Sequence, residues 1–276
     1  MKKDNKFIYP RTVREAIEGK RHYNINDKEK LPSVTTILSA TEPAEKKEGL
    51  KRWREKMGEA NAARIVDESA ARGTAMHKIL EMYILDKGYL DETNVGKQAH
   101  NMAVRVIEQG LCNVPTYYGT ECTLYYPGLY AGQTDLVGIH KGTDAIIDFK
   151  QTNKPKRREW IGDYCLQLAA YAMAHNFIYK TEITKGVVMM CSKDNYYQEF
   201  VIEGKEFQKY KHDFLRRVDE YYKQRSSNED SSPLTIRKDP INIVCHMSNP
   251  PILMLHQPSQ ASHIPSFTFQ LFVYHI

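Results

Sequence analysis

The chain reads as an α/β protein in which a central mixed β-sheet is flanked by helices and preceded by a helical N-terminal region. Three observations predict this. Strand-like runs cluster between residues 120 and 150 and again between 186 and 202. Segments with apolar residues at helical spacing lie before, between and after those clusters. Finally, 276 residues with 41% hydrophobic and 26% charged composition suffice for one large globular domain, and helices on the faces of such a sheet are what buries its apolar sides.

Taken in order, residues 1–30 are polar and read as loop. Leu31-Pro-Ser-Val-Thr-Thr-Ile-Leu38 follows, with Ser33 placed to cap a short helix. From Ala44 to about Met57 the apolar residues Leu50, Trp53 and Met57 recur at helical spacing. Lys46, Lys47, Lys51, Arg52, Arg54 and Lys56 fill the rest of that surface, which makes a basic amphipathic helix. A second helix is predicted from Asp67 to Leu85, with Ala75, Met76, Ile79 and Tyr83 inward, and a third from Gly96 to Glu108. Strands are predicted at Thr120 to Tyr126, Tyr130 to Ile139 and Asp144 to Lys150, the first two joined by a Pro-Gly turn. A helix from about Trp160 to Ile178, strands at Gly186 to Cys191 and Tyr196 to Ile202, and a helix from Lys205 to Gln224 complete a domain assigned to residues 1–240. Residues 241–276 contain no Lys, Arg, Asp or Glu and form a separate tail to which no structure is assigned.

The formal charge of +5 permits a polyanionic partner without demanding one. The five cysteines, at 112, 122, 165, 191 and 245, have no Cys-x-x-Cys spacing. This argues against a disulfide framework or a structural zinc site and points to a reducing compartment. The opening residues lack the apolar stretch of a signal peptide, and their Asp and Asn suit a transit peptide poorly. The expected setting is therefore the cytoplasm of a bacterium or phage-infected cell rather than a mitochondrion. No run approaches the roughly 20 apolar residues of a membrane span.

The chemistry concentrates in Tyr130-Ala-Gly-Gln-Thr-Asp-Leu-Val-Gly-Ile139 and Asp144-Ala-Ile-Ile-Asp-Phe-Lys150. If Lys141-Gly142 is the two-residue turn of a hairpin, His140 stands opposite Thr143, Gly138 opposite Ala145 and Asp135 opposite Asp148. Opposed residues have Cβ atoms roughly 5 Å apart, where like charges repel unless something positive lies between them. Lys150 shares a face with Asp148. Two oxygen-donor acids beside an ammonium suit a hard cation such as Mg²⁺, which is held by one or two carboxylates, waters and substrate phosphates. A three-residue loop would instead send Asp148 to the other side of the sheet. The apolar pattern favours the first register, because it buries Ile147 and Phe149. The competing reading is a surface ion pair on an ordinary hairpin.

Other candidates surround this pair. His77 lies in a helical segment with Thr74 three residues before and Glu81 four after, where it is either a metal ligand or a solvated residue. Gln167 and Tyr171 share a helix face with Tyr164, either edging the sheet or orienting a phosphate and supporting Lys150. Glu121 is either a third acid or a solvated edge glutamate. Lys154, Lys156, Arg157 and Arg158 form a basic loop directly after Lys150, as a phosphodiester backbone would require. Trp53 and Trp160 flank the two basic segments and offer stacking platforms for unpaired bases.

Together, His77, Gly132-x-x-Asp135-x-x-Gly138, Asp148-Phe-Lys150 and Gln167-x-x-x-Tyr171 resemble the ordered signature of the PD-(D/E)XK nuclease superfamily in its RecB-like exonuclease branch. Leu31-Pro-Ser-Val-Thr35 and Lys150 through Pro155 resemble one exonuclease group of that branch and its phage-encoded relatives. The resemblance spans about residues 30 to 225. It implies a restriction-endonuclease-like core and a cation, Mg²⁺ or Mn²⁺, held by His77, Asp135 and Asp148. It also implies that Lys150 sits near the attacking water and that Ser33 touches the DNA strand; from their own placement Gln167 is counted with the catalytic residues, and Lys154, Lys156, Arg157 and Tyr171 with those that meet DNA. Two departures stand out. Gln151 follows Lys150 where the family often has threonine, and the cysteine spacing does not match the iron–sulfur cluster of some relatives.

The resulting expectation is metal-dependent hydrolysis of DNA from free ends of single strands, in repair or recombination. The alternatives are a structure-specific endonuclease and a non-catalytic DNA-binding or recombination accessory protein that keeps the fold without the chemistry.

Overall fold

The computed structural model describes residues 1–9, 12–17, 19–26 and 29–230. The tail assigned to 241–276 lies outside the described residues. The centre is a six-stranded mixed sheet built from β1 (Lys2–Lys3), β5 (Thr116–Tyr126), β6 (Tyr130–His140), β7 (Thr143–Thr152), β8 (Gly186–Ser192) and β9 (Tyr197–Ile202), hydrogen-bonded in that order. The β5, β6 and β7 strands form an antiparallel meander, β7 and β8 run parallel, and β9 returns antiparallel to β8. The parallel β7/β8 step requires a crossover, and the helix α5 (Gly162–Tyr179) supplies it.

Alternation along β7 sorts its side chains. Ala145, Ile147 and Phe149 join Val187, Met189 and Cys191 in a core beneath α3 (Glu59–Ile84) and α4 (Asn94–Gln109). The alternate residues Ile146, Asp148 and Lys150 stand on the other face, where α5 packs and where Leu168 closes over Gly186. The helix α6 (Gly204–Asp230) packs on α5, and α1 (Val34–Ala40) touches both. Helices on both faces of one mixed sheet are the layer arrangement that the sequence predicts.

Three readings need correction. The N-terminal stretch read as loop contains strands: β2 (Val13–Ile17), β3 (Lys20–Asn26) and β4 (Glu29–Pro32) form a three-stranded antiparallel sheet. Tyr23 and Leu31 from that sheet are buried against Ala131. A few apolar residues suffice there because the sheet lies on the larger one, and the charges between them masked the alternation.

The second correction concerns α2 (Ala44–Met57), which has the predicted bounds but buries nothing; Leu50 is 48% exposed. The third concerns α3, which begins at Glu59, directly after Gly58 with a φ of 77°, so the bend between α2 and α3 is a single residue. On α3, Ile84 takes the inward place expected of Tyr83, whose ring is exposed. Among the described residues, no helix is long and apolar enough to cross a membrane.

Candidate active site

The β6/β7 turn is the one the spacing predicts. Lys141 and Gly142 both have positive φ, 49° and 82°, as a two-residue type I′ hairpin requires. Pairing then runs through His140↔Thr143, Gly138↔Ala145 and Leu136↔Ile147. One step further the ladder ends, at the level of Asp135 and Asp148. In place of a ladder bond, Asp135 Oδ2 accepts the backbone N–H of Phe149 at 2.6 Å. The acids therefore sit where the two strands part.

This gap is reached from both faces. His77, next to the buried Met76 and one helical turn before the buried Leu80, comes down from α3 with Nδ1 3.2 Å from Asp135 Oδ1, its ring edge-on to Phe149. From the α5 side, Tyr164 lies 5.1 Å from Lys150 Nζ, and Tyr171 fills the space left by Gly132. Gln167, three residues after Tyr164 and four before Tyr171, is half-buried on the same helix face. Lys150 Nζ forms an ion pair with Asp148 Oδ2. That oxygen is buried and has no aligned hydrogen bond among the described residues.

The charges shift one another. Burial acts to lower the His77 imidazole, but Asp135 outweighs it and the group is raised. Burial acts to raise Asp135, and His77, with Lys150 and the Phe149 N–H, holds it below the ordinary carboxylate range. Asp148 is pushed up to about 6, by burial first and by Asp135 as well, against the pull of Lys150. Burial also opposes the charge on Lys150, which Asp148 and Asp135 keep protonated. One acid is firmly ionised, its neighbour is close to sharing a proton, and a cation stands beside both.

Glu121 joins this group, although the sequence left it between two readings. One oxygen of Glu121, one of Asp135 and one ring nitrogen of His77 lie within 4.8 Å of one another. Its carboxyl is pushed up to about 7 by burial and then by Asp135. The signal was available in the spacing. The three-residue turn between Tyr126 and Tyr130 fixes Thr120↔Leu136 and Cys122↔Thr134, and so sets Glu121 across from Asp135. Carboxylate oxygens and an imidazole nitrogen are a donor set for Mg²⁺ or Mn²⁺. Asp148, whose buried Oδ2 is paired with Lys150, stands beside this cluster of three and is not one of its members.

Two residues predicted to contact DNA are buried. Ser33 is 2% exposed and caps α1, its Oγ accepting the Thr36 N–H at 2.9 Å, so it has no free surface to offer a strand. Tyr171 is buried behind the acids, where burial and Asp148 hold its hydroxyl protonated, and it serves as packing. The basic loop keeps its exposed charges. Lys154 and Arg157 face solvent, and Arg157 lies 5.4 Å from the ring of Trp160, itself 60% exposed. Lys156 is half-buried and its backbone is clamped to Gln198. Arg158 is committed to Glu206.

Gln151, at the departure from the family pattern, has a clear role. It accepts from Arg72 Nε at 2.9 Å and donates to the Ser69 carbonyl at 2.8 Å. Arg72 also donates to Asn153. Buried Arg72, which the sequence did not single out, thus ties the helix carrying His77 to the strand carrying Asp148 and Lys150.

Gly132 is tested most simply. A Cβ there would overlap the Tyr171 ring. Gly132→Ala is therefore expected to cost about 1–3 kcal/mol, the usual range for overpacking, as read by thermal or urea melting. An unchanged midpoint would show that Tyr171 has room to move.

A mixed sheet whose parting strands present Asp135, Asp148 and Lys150 to a histidine from a flanking helix is the arrangement that the PD-(D/E)XK signature anticipates. Comparison with known proteins points the same way. The chain is similar to the protein named mitochondrial genome maintenance exonuclease 1. It is 30% identical to the Mus musculus protein over 176 residues, covering 59% of this chain and 50% of that one. It is 30% identical to the Xenopus tropicalis protein over 175 residues, covering 59% and 49%. It is 26% identical to the Homo sapiens protein over 214 residues, covering 74% and 61%. The chain thus spans about half to three-fifths of the length of these relatives. No protein-family model matches it. A solved structure from Eubacterium rectale overlaps 62% of this chain and 77% of its own at 9% identity and a TM-score of 0.43, a level from which nothing about function follows.

Proposed function

We propose that the chain is a metal-dependent DNA exonuclease that hydrolyses phosphodiester bonds from free ends of single-stranded DNA. The observation that carries this reading is the convergence of Asp135, Asp148, His77 and Lys150 at the point where β6 and β7 part. The exonuclease names of the relatives support it.

His77, Asp135 and Asp148 would hold Mg²⁺ or Mn²⁺. When bound, such an ion supplies Lewis-acid polarisation of the scissile phosphate and lowers the pKa of a water. The remaining work belongs to side chains. Lys150, kept protonated by two acids, is placed to stabilise the attacking hydroxide or the charge developing on phosphorus-bound oxygens. Gln167 would orient the water or the phosphate from the α5 side. Lys154 and Arg157 would grip the backbone, with Lys156 beside them. The exposed Trp160 favours single strands, because only an unpaired base offers its face to an indole. A reducing, cytoplasmic setting is part of the same proposal.

The test is incubation with end-labelled linear and circular single-stranded DNA, with Mg²⁺ or with EDTA. Linear DNA is expected to be shortened from its ends only with metal, and circles to survive. Opened circles would replace the exonuclease reading with an endonuclease. Salt-sensitive binding without any product would leave the accessory-protein alternative.

A further inference from the structure

We infer that Glu121 is an additional ligand of the cation, so that the site extends across three adjacent strands, from β7 through β6 to β5. This rests on the metal-dependent function proposed above and concerns which oxygens of the chain meet the ion.

The first ground is position. The donor atoms of His77, Glu121 and Asp135 lie within 4.8 Å of one another. Opposite ligands of an octahedral ion at about 2.1 Å from the metal are roughly 4.2 Å apart, so a small inward movement encloses it. The second oxygen of Asp135, Oδ2, already accepts the Phe149 N–H. Asp135 therefore offers Oδ1, on the side of His77, and Glu121 adds a carboxylate on that side, away from the Lys150-paired Asp148.

The second ground is how Glu121 is held. It has a φ of 51° in the middle of an eleven-residue strand. That left-handed conformation costs a non-glycine residue about 1–2 kcal/mol. The side faces change at this step. Gly132, before Asp135 on the chain, opens toward Tyr171 of α5, whereas Leu136, of the same parity, packs beneath α3 and α4. Gln133 fixes the result, its Nε2 donating to the Glu121 carbonyl at 3.2 Å and to Oε2 at 2.7 Å. A neutral amide aims the carboxylate without neutralising it. No lysine or arginine forms an ion pair with Glu121 among the described residues. A residue whose only task was to bind Gln133 would do so as well without a charge opposed to Asp135.

The experiment is Mn²⁺ binding to the metal-free full chain without DNA, read by electron paramagnetic resonance or calorimetry and repeated for Glu121→Gln and Gln133→Leu. Glu121→Gln is expected to weaken Mn²⁺ roughly 10–100-fold, and Gln133→Leu by a smaller factor, as changes near ligands commonly do. The metal-free melting temperature of Glu121→Gln is expected to equal or exceed that of the parent, since a repelling charge is gone, while the upward shift on adding Mn²⁺ shrinks. A purely structural glutamate gives the reverse pattern, with a lower metal-free melting temperature and unchanged affinity. That pattern overturns the inference, as does any Glu121→Gln affinity within threefold of the parent. If Glu121→Gln does not fold, unchanged Mn²⁺ affinity in Gln133→Leu overturns it equally. Cleavage by the unaltered chain separates the two levels. Cleavage with normal Mn²⁺ binding in Glu121→Gln keeps the nuclease and removes Glu121, whereas Glu121-dependent binding with no cleavage does the opposite.

Discussion

Lys150→Ala is expected to bind single-stranded DNA almost as tightly as the parent and to cleave it roughly 10²–10³-fold more slowly, the usual loss when one preorganised donor is taken from a developing anion. The Lys150 side chain is 19% exposed, too enclosed to serve as a general DNA contact, and its ammonium is confined by Asp148 and by the Tyr164 ring. Affinity should instead come from exposed cations such as Lys154 and Arg157, whose contribution weakens with salt. Single-turnover cleavage of end-labelled DNA and fluorescence anisotropy measure the two quantities separately. A variant within tenfold of the parent rate would reduce Lys150 to a counter-ion for Asp148. Lys150→Arg discriminates further. It keeps the charge but changes its shape, so a merely electrostatic partner would tolerate it.

The outcome at Lys150 depends on a register that the sequence states almost in full. A Lys-Gly pair between two β-rich runs can close a type I′ turn, and counting outward from it puts Asp135 level with Asp148. The apolar residues Ile147 and Phe149 confirm the parity, because only one choice buries them. Helices with dense apolar spacing, such as α4 and α5, are likewise found within a few residues of their predicted ends.

What the sequence hides is whatever depends on contact between distant elements. The end of the β6/β7 ladder one step before the acids cannot be read from alternation, yet it lets Asp135 bond Phe149 and still face His77. The small sheet of β2, β3 and β4 was obscured because its buried residues, Tyr23 and Leu31, are few and find their cover on Ala131. Leu50 illustrates the opposite error. Helical spacing predicts a face, but a face is buried only if something packs on it, and α2 carries no buried residue. Arg72 and Gln151 lie 79 positions apart, and no local pattern announces their pairing.

Asp135→Asn is expected to abolish metal-dependent cleavage, by at least about 10²-fold, and the reason lies in how both its oxygens are used. Oδ2 accepts the Phe149 N–H at 2.6 Å, and Oδ1 faces His77 Nδ1 at 3.2 Å. An amide has one oxygen, so satisfying Phe149 turns an NH₂ toward His77 and the cation. Several kcal/mol of Lewis-acid stabilisation then disappear, at 1.36 kcal/mol per tenfold in rate.

Proton titration gives Asp135→Asn a second signature that needs no substrate. His77 is raised from its ordinary 6.5 because Asp135 outweighs burial, so in the variant burial and Lys150 act against the smaller pull of Asp148 and the imidazole should titrate below 6.5 by NMR. The stability consequence has a definite sign. The raised His77 contributes stability that is present below 6.5 and lost as pH rises through its folded value. The lowered Asp135 contributes stability that is present above 3.8 and lost as pH falls through its folded value. In metal-free protein the pair is thus worth most between these limits. The melting gap between parent and variant should be larger at pH 5 than at pH 8. Adding Mn²⁺ at pH 8 should reopen the gap, because only the parent retains the anionic oxygen through which the ion stabilises the fold. A gap independent of both pH and metal would mean that Asp135 serves the Phe149 N–H alone, and the site would then have lost its central ligand.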